Sequence, residues 1–208
     1  EPLAAAIGAG IDITKPTGRM IVDIGGGTCD VAIISLGGIV VRDSIKVAGD
    51  RFDESIVKYV RNQYKIMIGE KMSETLKINV ASAYKGSRNI KSKIRGRNLI
   101  TGLPDEKEID TEQLLEAIED DVMVIVDSVK NVLEKTPPEL AADIIEEGII
   151  MTGGGSLLYG LDKLIEKETG IRVSIADEPV ECVVKGTGKV LKYFDKLSID
   201  ANEVVLID

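Results

Sequence analysis

Histidine and tryptophan are absent from this chain of 208 residues, and aromatic residues make up only 3% of it. Without histidine there is no His-based catalytic triad and no His-ligated metal centre. Cysteine is scarce: Cys29 and Cys182 are the only two, and their separation matches no metal-binding spacing. With no signal peptide at the start of the sequence, that usage leads us to expect a reducing, cytoplasmic setting. Positive charge is also short. Lys and Arg number 26 against 35 Asp and Glu, a formal net charge of −9, so a nucleic-acid partner held by phosphate neutralisation is not expected. Long hydrophobic runs are missing too. The longest apolar stretch, Val31 to Val41, is broken by Ser35, Gly37 and Gly38 and is too short to span a bilayer.

What is present is a hydrophobic content of 44%, enough for a proper core. The length suits one large domain or a domain with an insert. The chain opens Glu1-Pro2-Leu3-Ala4-Ala5-Ala6. Proline suits the first turn of a helix and alanine favours its interior, with Gly8 or Gly10 to end it. We read this as the middle of a longer protein, entered at a helix start.

The most informative stretch is Met20 to Ile34. An apolar strand reaches Asp23, three glycines (Gly25, Gly26, Gly27) and Thr28 follow, and a second apolar strand leaves from Val31. Two such runs joined by a Gly-rich connection predict a β-hairpin. Three glycines exceed what a turn needs. They let another group approach the backbone closely, and their N–H groups can form a concavity for an anion. Thr28 adds a hydroxyl donor. Asp23 repels a phosphate directly but can hold a hydrated Mg²⁺ beside one, because that ion keeps several waters and needs few carboxylates. We expect a phosphate-and-metal loop. It is not a P-loop, since no Lys-Ser or Lys-Thr pair follows and a strand comes next.

A second triglycine, Gly153-Gly154-Gly155, follows the apolar run Ile149 to Met151 and Thr152 and precedes Ser156, a predicted helix N-cap, with Leu157, Leu161, Leu164 and Ile165 on one helical face. Backbone amides and a helix N-terminus would point at whatever lies over these glycines. A strand from Arg172 to Ile175 completes a βαβ unit. This pattern competes with a dinucleotide-binding fingerprint, but the third glycine of that motif would fall on Leu158.

Between the clusters, Asp50 is predicted to cap a helix carrying Phe52, Ile56, Val57 and Val60, and a second helix runs from about Glu70 to Val80. Tyr84 to Asp110, with Lys85, Arg88, Lys91, Lys93, Arg95 and Arg97, reads as two or three exposed antiparallel strands whose charges deter edge pairing. Asp110 caps a long helix with apolar steps from Leu114 to Leu133, stopped by Pro137 and Pro138. A short helix, Glu139 to Glu146, ends at Gly148. A final helix is predicted from Pro179 to Phe194, with Gly186 and Gly188 for close packing, then a tail in which Val204 to Ile207 can add a strand.

Taken together, these residues resemble the C-terminal lobe of the MreB/Mbl family of bacterial actin-like cell-shape proteins, from Glu1 to about Leu191. Asp23-Ile24-Gly25-Gly26-Gly27-Thr28 and Thr152-Gly153-Gly154-Gly155-Ser156-Leu157-Leu158 resemble the wider superfamily. Thr101-Gly102-Leu103-Pro104 and Lys135-Thr136-Pro137-Pro138-Glu139-Leu140 single out the family. The resemblance implies an α/β, actin-like (ribonuclease H-like) ATPase lobe: a mixed sheet with flanking helices plus a small α+β subdomain. Residues 1–50 and 146–208 would form the core subdomain carrying both glycine loops, and 51–145 an inserted outer one. It implies ATP or ADP and Mg²⁺ as ligands. Gly25, Gly26, Gly27 and Thr28 would take phosphates, and Asp23 the metal through water. Gly153, Gly154, Gly155 and Ser156 would face adenosine, with Glu74 and Lys77 reaching ribose and adenine. Glu1, assisted by Thr28, would orient or activate the attacking water.

By the same resemblance, the complete protein would form filaments and serve the cell-wall elongation machinery. It would attach to membrane through an N-terminal part not in this sequence. It would hydrolyse ATP weakly with Mg²⁺, whereas this lobe alone folds, binds ATP weakly or not at all and does not hydrolyse it. The alternatives are a non-catalytic interaction module, a metabolic or chaperone ATPase of the superfamily, and a Rossmann-type dinucleotide-binding protein.

Overall fold

A computed structural model describes residues 1–192, and the backbone of two short strands beyond them. The chain opens with helix α1 (Pro2–Gly8) and then lays down three strands, β1 (Arg19–Ile24), β2 (Cys29–Ser35) and β3 (Gly38–Ile45), as an antiparallel meander. Helix α2 (Gly49–Tyr64), strand β4 (Ile66–Met67) and helix α3 (Glu70–Asn79) lead to the hairpin of β5 (Lys91–Asn98) and β6 (Pro104–Asp110). Helices α4 (Thr111–Glu134) and α5 (Pro138–Glu147) return the chain to strand β7 (Ile149–Thr152), followed by a 3-10 turn (Gly154–Leu157), α6 (Leu161–Thr169), β8 (Val173–Ile175), a second 3-10 turn (Pro179–Glu181) and α7 (Cys182–Lys192). Strands β9 (Leu197–Asp200) and β10 (Glu203–Leu206) pair as a separate hairpin. Phe194 and Ile207, expected at the ends of the last helix and strand, lie outside the described residues.

The main sheet has the order β3-β2-β1-β7-β8. β7 joins the meander by pairing parallel to β1, with Val22 opposite Met151 and Asp23 opposite Thr152. β8 then pairs parallel to β7. This mixed sheet differs from the mostly parallel one that a dinucleotide-binding fold requires.

The period-2 alternation of strand side chains divides the core in two. Met20, Val22, Ile24, Val31 and Ile33 face one layer, with Phe52, Ile56 and Val60 of α2 and the stripe Leu114, Ile118, Val122, Ile125 and Val129 of α4. Ile21, Ala32 and Ile34 face the other, with Ala5 and Ala6 of α1. Because β1 is covered on both faces, five of its six residues are buried and it reads as a continuous apolar run ending in one buried carboxylate, Asp23.

A three-stranded antiparallel sheet, β4-β5-β6, stands apart from the main one. Three of its basic residues are paired across the hairpin, Lys91 with Glu108 and both Lys93 and Arg95 with Glu106. At such exposed positions these pairs add little stability, in keeping with a solvated edge.

Asp110 caps α4 as expected. Its carboxylate accepts from the Gln113 amide at 3.0 Å, and the Gln113 side chain accepts from the Asp110 amide at 3.1 Å. Asp110→Ala should therefore lower the unfolding free energy by about 1 kcal/mol, measured by urea denaturation. Two other predicted caps are corrected. α2 begins at Gly49 with Ala48 as N-cap, because its first amides are taken by loop carbonyls rather than by Asp50. α6 begins at Leu161 after Gly160, since the segment from Gly154 first makes a tight 3-10 turn. Ser156 is buried in that turn and its hydroxyl donates to the Gly153 carbonyl at 2.6 Å.

Candidate functional site

Both triglycine bends lie at the carboxyl ends of neighbouring central strands, the first after β1 and the second after β7. They touch. A Cβ built on Gly153 would lie 2.2 Å from the Ile24 carbonyl oxygen and 2.8 Å from Asp23 Oδ1, and one on Gly155 would lie 2.4 Å from Ile24 Cγ2. Gly153 also holds φ at +79°, a conformation that a side chain strains.

Each bend is braced from behind. The Gly25 amide donates to the Thr28 carbonyl at 2.9 Å, closing the hairpin, while the amides of Gly49 and Asp50 donate to the Gly25 and Gly26 carbonyls at 3.1 and 2.9 Å. On the other side the Gly153 amide donates to the Pro179 carbonyl at 2.9 Å.

Together the bends line a cleft of about 360 Å³ whose walls include Gly25, Gly26, Asp50, Glu74, Lys77, Ile78, Gly154, Gly155, Leu157 and Val180. Glu74 and Lys77 share one face of α3, three residues apart. The cleft therefore joins one glycine bend, the other bend, and the predicted Glu–Lys pair. Gly27 and Thr28 sit exposed at the tip of the first bend.

Asp23 stands on β1, two residues before the first bend, and is not among the residues lining that cleft. It is 5% exposed, and its Oδ1 accepts from the Thr152 hydroxyl at 2.9 Å. Burial raises its pKa above the usual carboxylate value, the Thr152 bond pulls it back, and Glu1 and Asp30 add like-charge repulsion. Glu1 thus stands within electrostatic reach of Asp23, at the start of α1 and exposed to solvent.

The sign of the Asp23 effect is a test. With a raised folded pKa the native state holds the proton more tightly, so folding is weakened as pH rises above the unfolded value near 3.8. Asp23→Asn keeps the Oδ1 acceptor and removes the charge. It should raise the melting temperature at pH 7, with the gain shrinking toward pH 4.

Three participants escape sequence reading. Thr152 lies 129 residues from the Asp23 it bonds, and only β-pairing reveals the contact. Gly49 and Asp50 serve the first bend through backbone amides, which carry no residue-type signal. Among the described residues no three acidic or thiol groups converge as a protein-only metal cage would need. A cation here would rely on the single carboxylate of Asp23, water and ligand oxygens, which is how Mg²⁺ is commonly held.

The mixed five-stranded sheet with paired glycine bends at its carboxyl edge defines an actin-like fold. Comparison with known proteins carries this further. The MreB/Mbl protein family model matches residues 1–199, and the chain belongs to that family. It is 49% identical over 197 residues to the cell shape-determining protein Mbl of Bacillus cereus, covering 95% of this chain and 59% of that protein. A crystal structure of MreB 5 of Spiroplasma citri bound to AMPPNP superposes with a TM-score of 0.89 at 43% identity, over 94% of this chain and 59% of that one. A MamK double helical filament, at 21% identity and a TM-score of 0.76 over 92% of this chain and 58% of the MamK chain, shares the fold. The chain thus spans about three-fifths of the length of these relatives.

Proposed function

We propose that this chain is the adenine-nucleotide lobe of an actin-like, filament-forming cell-shape protein. The observation that carries the reading is that both glycine bends line one cleft. Residues 1–50 and 146–208 would act as the core subdomain, and 51–145 as the outer one.

In this reading the amides of Gly26 and Gly27 and the Thr28 hydroxyl take the phosphates, because successive N–H groups in a bend form an anion-binding concavity, while Gly25, its amide held by the Thr28 carbonyl, closes the bend. Gly153 to Gly155, lacking side chains, let adenosine lie close to the backbone, with Glu74 toward the ribose. Ser156 shapes that bend from inside. Asp23 would hold Mg²⁺ through water, and the ion's charge would offset that of the phosphates. Glu1 and Thr28 would orient the attacking water. Catalysis of this kind is mostly positioning and charge stabilisation, so it needs groups from both sides of the nucleotide. The complete two-lobe protein would be a weak Mg²⁺-dependent ATP hydrolase, and the lobe alone a weak binder without turnover.

In the same reading the complete protein would self-associate into filaments, serve the cell-wall elongation machinery and have a cytoplasmic, membrane-associated location. Membrane attachment would fall to an N-terminal part not in this sequence. Among the described residues no helix is long and apolar enough to cross a membrane.

A thermal-shift titration with millimolar ATP, ADP and NAD, with and without Mg²⁺, tests the reading. Ligand at a hundred times its dissociation constant adds about 2.7 kcal/mol. ATP and ADP should raise the melting temperature, ATP more so with Mg²⁺. A larger shift with NAD would favour the dinucleotide alternative instead.

A further inference from the structure

The cleft has α3 as one wall and the second glycine bend as another, and the two walls are joined to each other. The 81–90 connection that leaves α3 folds onto Tyr159 and Gly160, which follow the second bend. The Ala83 amide donates to the Tyr159 carbonyl at 2.8 Å. The Ser82 hydroxyl, fully buried, lies 3.2 Å from the same carbonyl and accepts from the Tyr84 amide at 3.1 Å. The fit is close, since a Cβ on Gly160 would lie 3.0 Å from Tyr84 Cβ and 3.2 Å from Ser82 Oγ.

Arg88 ties the same junction a second time. It belongs to the basic run expected on exposed strands, yet it stands in the connection before β5. One terminal nitrogen donates to the carbonyl of Ala81, two residues past the end of α3, and the guanidinium carbon lies 4.5 Å from the centre of the Tyr159 ring. Its Nε is buried without a partner, so the carbonyl and the ring are what hold the side chain. A cation over an aromatic face is attracted by the ring quadrupole, more strongly as water is excluded. One side chain thus links the exit of α3 to the exit of the second bend.

We propose that Arg88 and Tyr159 are positioning residues for adenosine, setting the gap between α3, with Glu74, Lys77 and Ile78, and the second bend, with Gly154, Gly155 and Leu157. The inference rests on the adenine-nucleotide reading above. Neither residue lines the cleft, so each acts through the walls it holds together. On its other side α3 is held to α2, where two donors of the Lys77 ammonium reach Asp53 and the Gly49 carbonyl. Loosening the junction is therefore felt at the second bend. The first bend is braced separately, by the amides of Gly49 and Asp50. The disturbed wall meets the part of the ligand that AMP, ADP and ATP share, and the phosphate bend stays in place.

The test is a titration of the chain and its Arg88→Gln variant with AMP, ADP and ATP in Mg²⁺, following backbone amide resonances of both glycine bends at a temperature where both proteins are fully folded. Arg88→Gln should weaken all three nucleotides by the same factor, about fivefold, the scale of one lost hydrogen bond. Without nucleotide, the resonances of Gly154 and Gly155 should already be displaced in the variant, and those of Gly26 and Gly27 should not. Tyr159→Ala should repeat this pattern. Tyr159→Phe keeps the ring under the guanidinium and loses only a 3.5 Å bond to the Ser87 carbonyl, so it should bind as the wild type does. The Tyr159 pair carries the test if Arg88→Gln folds poorly. Unchanged affinities would overturn the proposal, as would a loss that grows from AMP to ATP, or equal weakening in Tyr159→Phe and Tyr159→Ala. A wild-type chain that binds none of the three sinks the nucleotide reading and this inference with it, whereas variants that bind like the wild type sink the inference alone.

Discussion

Gly153→Ala should unfold much of the stability of this lobe and abolish nucleotide binding, whereas Gly154→Ala, one residue on, should leave the fold intact. At Gly153 a methyl group would sit 2.2 Å from the Ile24 carbonyl oxygen, 2.6 Å from its carbon and 2.8 Å from Asp23 Oδ1. These atoms cannot step aside. Ile24 is paired to Cys29, and Asp23 to both Asp30 and Thr152, at the centre of the sheet. A backbone at φ 79° and ψ 163°, a region essentially open only to glycine, costs a side-chain-bearing residue about 1–3 kcal/mol, and forcing extra volume into a packed site about 1–3 more. A loss on the order of 3 kcal/mol is a large share of a domain stability of about 5–15 kcal/mol. At Gly154 the nearest neighbour is a flexible tip, Val180 Cγ2 at 3.9 Å. Urea unfolding of the two variants checks the contrast, and similar midpoints would mean that the bends do not meet as described.

The second large effect is expected where two helices cross. α1 and α7 cross with their backbones in contact. A Cβ on Gly8 would lie 1.7 Å from the Cys182 carbonyl oxygen, and one on Gly186 would lie 1.8 Å from that of Ala4. Alanine at either site must push the helices apart. That uncovers Ala5 and Ala6 from the second core layer and shifts Glu1, at the head of α1, relative to Asp23. Each substitution should cost about 3 kcal/mol, the upper part of the overpacking range. Gly188, two residues along α7, is exposed with nothing within 4 Å of an added Cβ. Gly188→Ala should instead stabilise by roughly 0.5–1 kcal/mol, the helix preference of alanine over glycine. Denaturation midpoints of the three variants decide it, and equal effects at Gly186 and Gly188 would refute the close crossing.

That pair of glycines also shows where sequence reading stops. Both looked alike in Gly186-Thr187-Gly188, and only the approach of α1 separates them. Features carried by local periodicity were legible: the Met20–Ile34 hairpin, the apolar stripe of α4, the Asp110 cap and the glycine bends as loops. The actin-like fold was legible too, through likeness to a family. Features carried by distant contacts were not. Nothing around Asp50 says that loop carbonyls will replace its capping role. The Thr152–Asp23 bond depends on β7 pairing with β1. Lys77 is expected at ribose and adenine, and only the structure shows Asp53 and Gly49 accepting from its ammonium. Ser156 looked like a cap and is a brace within its own bend.

The central claim is that two bends far apart in sequence hold one adenine nucleotide between them. Backbone amide resonances of Gly25 to Gly27 and of Gly153 to Gly155 report on it directly during a titration with ADP and Mg²⁺. The account predicts that both groups shift together and along one binding curve. Shifts confined to one bend, or two curves with different midpoints, would contradict it.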